Sequence, residues 1–264
     1  MYKKLFILLL LLLIISGCTD ISNVGLTEPP KISETSETSE ASQVSEVSET
    51  PPTTDSPETS EPEIYRTHTF YLKDEKFLET CLFIGDSVMK GLADSGFLQS
   101  ERVFADDTAT PANIADLRFP ILPIQNDGGE IGVLTALVNE NPDNIFMQFG
   151  RGDTANSERT QFTEDYLTFL TLVNTYRPDS VITVLSIPPV SIETAALNNT
   201  TIEDYNAALK AMVENLRSDN IRFLDLDTEL KNPQGKLKRL YAQPDGASLT
   251  QAGNHAVLWV ICNS

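Results

Sequence analysis

Ser87, two histidines and three cysteines are the side chains in this sequence best suited to covalent chemistry. Ser87 follows the apolar run Leu82-Phe83-Ile84 and the pair Gly85-Asp86, and it precedes a helical pattern from Val88 to Leu92. A serine at such a strand-to-helix turn presents its hydroxyl at the sheet end, with its N–H at the positive helix terminus, as a nucleophile requires. Asp and Ser are also favoured helix caps, so the tripeptide alone suits a structural role equally well. A serine nucleophile needs a base, and His68 and His255 are the only imidazoles in the chain. His255 falls about five residues into the last predicted helix, a rise of roughly 7.5 Å that carries it away from the strand ends. His68 precedes the first strand, in a segment the pattern does not place. Asp86 and Asp153 supply carboxylates near the same sheet end, but an ordinary aspartate is too weak a base to activate serine well.

The cysteines suggest other chemistry. Lys3 and Lys4 precede the apolar run Leu5 to Ile15, which ends in Ile15-Ser16-Gly17-Cys18. Charged start, short apolar run and small residues before a cysteine resemble a bacterial lipobox, so residues 1–18 read as a signal peptide with Cys18 as the acylated residue. Diacylation would hold the exported chain on the outer face of the cell membrane. Residues 19–63 are rich in Ser, Thr, Glu and Pro and carry eleven acidic side chains against Lys31 alone. With so little to bury, this stretch reads as a disordered acidic spacer. Cys81 opens the first strand and Cys262 closes the last helix, which brings them to one end of the sheet and permits a disulfide in an oxidising compartment.

The formal net charge of −19 argues against nucleic acid as a partner, because phosphate binding needs clustered Lys and Arg. The elements that must position the site lie in residues 64–264. Leu82–Ile84, Val103–Ala105, Ile145–Met147, Val181–Leu185 and Ile221–Leu224 are short apolar runs bounded by polar or turn residues. Helical patterns run over 88–92, 131–139, 164–176, 202–216 and 250–261, and Thr200-Thr201-Ile202-Glu203 reads as a capping box. Unalternated strands between helices predict a parallel sheet covered on both faces, hence one α/β domain. In such a sheet, chemistry sits at the carboxyl ends of the strands.

Four landmarks occur in order: CLFIGDSVMKGL, IFMQFGRGD, SIPPVS and YAQPDGASLTQAG. Together they resemble the SGNH/GDSL hydrolase family over essentially all of the chain from about residue 65. The resemblance implies a flavodoxin-like three-layer α/β/α sandwich with about five parallel strands. It also implies ester hydrolysis by a serine, a histidine and an aspartate, with no cofactor and no metal. Ser87 matches the nucleophile and Asp245 the aspartate, but Ser248 stands where the histidine belongs. A hydroxyl cannot accept the proton of another hydroxyl at useful rates. Gly152 replaces the asparagine of the family's third block and brings no side-chain donor. No glycine lies between Gly96 and Gly128, so Thr108 is nearest to the second oxyanion donor, alongside the amides of Ser87 and Gly152. Arg151-Gly152-Asp153 spells an adhesion tripeptide, but the resemblance puts it in the cleft, with Asp86.

Two functions stay open on this sequence. One is a membrane-anchored, monomeric pseudoenzyme that binds an acylated glycan or cell-wall ligand in a degenerate site. The other is an active esterase or deacetylase with an unconventional base.

Overall fold

A computed structural model describes residues 72–121 and 129–264. The proposed lipidation site Cys18, the acidic spacer and His68 lie outside the described residues. The chain runs α1 (Leu72–Glu79), β1 (Cys81–Gly85), α2 (Ser87–Asp94), β2 (Val103–Ala105), β3 (Phe119–Pro120), β4 (Glu130–Ile131), α3 (Val133–Glu140), β5 (Asn144–Gln148), α4 (Asp153–Asn156), α5 (Arg159–Tyr176), β6 (Val181–Leu185), α6 (Asn199–Leu216), β7 (Ile221–Leu224), α7 (Asp227–Leu230) and α8 (Gln251–Cys262). Five strands form one sheet in the order β2-β1-β5-β6-β7, with every pairing parallel. The short pair β3-β4 is antiparallel and separate.

The runs at β1, β5 and β6 become central strands with both faces buried, while the edge strands β2 and β7 are only partly covered. Leu82, Ile84, Ile145, Met147, Ile182 and Val184 pack on one face with residues of α3, α5 and α6. Cys81, Phe83 and Phe146 pack on the other with Met89, Leu92, Val257 and Ile261. This is the α/β/α layering the sequence predicts.

The topology also selects the place of a site. From β1 the chain moves outward to β2, then returns to place β5 on the other side of β1. The connections after β1 and β5 therefore diverge and leave a crevice at the carboxyl edge, the switch point where open α/β sheets bind ligands. Ser87 follows β1 and Arg151 follows β5.

Two expectations are corrected. The long helix α6 begins at Asn199, and its cap is Asn198, whose side chain accepts from the Thr201 amide. Asn competes at least equally with Thr for that position, so the Thr200–Glu203 capping box does not form. Cys81 and Cys262 are not joined in a disulfide. The Cys81 thiol is turned onto the Phe77 carbonyl at 3.1 Å. Burial pushes it up to about 12, and Cys262 is near enough to add to the rise.

Candidate active site

The first wall of the cleft is fixed by backbone packing. At the β1–β5 register Gly85 lies opposite Gln148, and a Cβ on Gly85 would fall 2.0 Å from the Gln148 carbonyl oxygen. Only glycine fits. The Asp86 amide then donates to the same Gln148 carbonyl at 3.1 Å, and Asp86 caps α2 by accepting from the Val88 amide at 3.0 Å. Its second oxygen accepts from the Arg151 amide at 2.9 Å, which ties the turn after β1 to the turn after β5. Asp86 is 2% exposed, and burial raises its pKa against the pull of those two amides. Ser87 is left as the first residue of α2, at the positive helix end.

The second wall is the loop before α8. Asp245 accepts from the amides of Ala247 and Ser248, each at 2.9 Å, and from the Ser248 hydroxyl at 2.5 Å. These bonds, the Ser248 hydroxyl foremost, hold its carboxylate below the usual range. Thr250 caps α8 through the Gly253 amide, so Ser248 belongs to the Asp245 turn and not to the helix start.

Between the walls is a cleft of about 230 Å³ whose lining includes Ser87, Lys90, Asp107, Arg151, Ser248 and Asn254. It brings together the nucleophile position and the residue at the histidine position. His255 is placed elsewhere, with its ring 5.4 Å from that of Phe97, and it does not line the cleft. Among the described residues no imidazole does.

The other predicted residues divide. Thr108 is tied up, because its amide and hydroxyl both donate to Asp106, at 2.8 and 2.6 Å. The expected oxyanion donor is thus spent on a local turn. Gly152 caps α4 on exposed backbone, and a Cβ there would meet nothing within 4 Å. Asp153 is 5% exposed, and burial, helped by Asp86, pushes its carboxyl up to about 7. A tripeptide with its aspartate buried is not displayed for adhesion. Among the described residues, no three His, Cys, Asp or Glu side chains are grouped to hold a metal ion.

The sequence reading missed Lys90 and its ion pair with Asp107 at the rim. Lys90 lies three residues after Ser87, hence on the same helix face, and that spacing is a readable signal. It also missed Asn254, whose amide donates to the Gly91 carbonyl at 3.0 Å and locks α8 onto α2.

A family model described as GDSL-like Lipase/Acylhydrolase matches residues 82–258. Among solved structures, the chain is similar to one described as a candidate platelet activating factor from Streptococcus pneumonia. The identity there is 19%, over 72% of this chain and 89% of that one, with a TM-score of 0.54. It is also similar to a GDSL-like lipase from Bacteroides thetaiotaomicron VPI-5482, at 11% identity over 70% of this chain and 87% of that one, with a TM-score of 0.51. At such identities the likeness is one of fold. No curated protein matches.

Proposed function

We propose, for a chain that belongs to the GDSL-like lipase/acylhydrolase family, a ligand-binding role: its cleft holds an acylated glycan or cell-wall ligand and hydrolyses esters slowly or not at all. The observation that carries this reading is the Ser248 hydroxyl on Asp245, at the place of an imidazole. For Ser87 to attack an ester, its proton must pass to a base as the new bond forms. Ser248 cannot take it, and Asp245, held ionised by three hydrogen bonds, is a still weaker base than a free aspartate. An enzyme stripped of its triad base keeps a residual ~10³- to 10⁴-fold advantage over water, which depends on its oxyanion hole. Here Gly152 brings no side-chain donor and the Thr108 amide is engaged, and one lost donor alone costs ~10²- to 10³-fold. The two losses are not multiplied, because groups acting as one unit are not additive.

With Cys18 as the lipid-bearing residue and 19–63 as a spacer, such a binder would stand off the outer face of the membrane. Cys18→Ala should release the chain or strand its precursor, and unchanged membrane retention with unchanged lipid labelling would remove the anchor. The retained position of Ser87 at the α2 terminus supports the second reading, an esterase with an unconventional base. Hydrolysis of a small activated acetyl ester decides between them. The binding reading expects near-background rates that Ser87→Ala barely changes; robust turnover lost in Ser87→Ala would favour the esterase, with His68→Ala as the next variant.

A further inference from the structure

Arg151 is held by its backbone and idle at its tip. Its amide donates to Asp86 at 2.9 Å and it lines the cleft with Ser87 and Ser248. Both terminal nitrogens, Nη1 and Nη2, are buried and have no hydrogen-bond partner among the described residues. Buried donors left unpaired are costly, more so on a charged group. What these two nitrogens lack is an acceptor within hydrogen-bond reach.

Carboxylates already surround the guanidinium, although the cost of burying it outweighs them and lowers its pKa. Asp86, Asp245 and Asp227 all act on it electrostatically, and each is anchored to something else. Asp86 holds the Val88 and Arg151 amides, Asp245 holds Ala247 and Ser248, and Asp227 pairs through Oδ2 with Lys231 at 2.7 Å while its Oδ1 is buried without a hydrogen-bond partner among the described residues. Asp94 and Asp107 add further carboxylates along the cleft, with Lys90 taken by Asp107. A ligand carboxylate or phosphate entering here would meet this negative surround, and like-charge contacts in a partly desolvated site are unfavourable. An uncharged acceptor would complete the missing hydrogen bonds without adding negative charge.

We infer that Arg151 is the recognition residue of the cleft, and that its terminal nitrogens donate to the carbonyl oxygen of an uncharged acyl group, the ester or amide of a neutral ligand. The guanidinium presents two N–H directions in a plane, next to the position where Gly152 offers no amide side chain. This inference rests on reading the cleft as a ligand site, and binding and turnover test the two separately.

Triacetin, an uncharged triester, is a suitable probe for ligand-observed NMR on the full-length chain. Saturable triacetin binding is expected, tighter than that of sodium acetate or inorganic phosphate. Arg151→Lys keeps the charge and loses the planar fork, and Arg151→Gln loses the charge as well. Each should weaken triacetin binding about tenfold or more, with cooperative thermal unfolding as the folding control and the Lys variant decisive if the Gln variant does not fold. Unchanged affinity in a folded variant would overturn the role of Arg151. Tighter acetate or phosphate binding would overturn the uncharged class, and absence of saturable triacetin binding would overturn the acyl assignment. None of these results bears on the missing base, which would instead be refuted by Ser87-dependent conversion of triacetin in the same spectra.

Discussion

The two walls of the cleft are held in different ways. The wall after β1 is over-determined: Gly85 has no room for a Cβ beside Gln148, and Asp86 serves two amides, one of them 65 residues away. The wall before α8 is self-contained, because Asp245 satisfies itself within its own loop, on the amides and hydroxyl of residues two and three positions on. The Gly-Asp-Ser turn is therefore required by sheet and helix packing whether or not the serine reacts. A base at position 248 carries no such structural duty, since the Asp245 turn closes with a serine there. A fold of this kind can lose its base and keep its nucleophile motif, so the motif by itself reports fold rather than activity.

That contrast predicts unequal costs. Gly85→Ala should be the most damaging change, destabilising the domain by about 3 kcal/mol or more, because the new methyl meets backbone that cannot turn away. Chemical denaturation measures this, and a loss under about 1 kcal/mol would show that the first wall is looser than described.

Asp153 gives the next effect, and it depends on pH. Its carboxyl stands at about 7 in the folded chain, against roughly 3.9 when unfolded. The folded state therefore holds the extra proton between those values. Its contribution to stability falls as pH rises through that window and levels off above it. Asp153→Asn removes the penalty and should stabilise the domain at pH 8 by on the order of 1–3 kcal/mol, with little gain at pH 4. An equal effect at both pH values would place the cause outside this carboxyl.

The sheet was legible in the sequence because its central strands bury both faces and so read as largely apolar runs; Val103–Ala105 and Val181–Leu185 form strands over those bounds. The four-residue helices α4 and α7 were not legible, being little more than one 3.6-residue turn and so too short to show a repeat. The tie from Asp86 to Arg151 was hidden because its donor is a backbone amide, which every residue but proline owns. Thr108 was readable in principle: an aspartate two residues earlier is the pattern of a local side-chain turn that takes up the amide. The fate of the thiols turned on where the Cys81 side chain points, which spacing does not encode.

The measurement that bears most directly on the proposed loss of the base is acetyl-ester hydrolysis by a Ser248→His, Gly152→Asn double variant beside the parent chain. Position 152 has open space for the new side chain, and the Ser248 amide keeps its bond to Asp245 whatever its side chain, so folding should be preserved. A general base contributes about 10²- to 10⁴-fold, and a gain of about 10²-fold or more, abolished by adding Ser87→Ala, is the expected result. A folded double variant with no Ser87-dependent gain, beside a parent chain that already turns over through Ser87, would contradict the account.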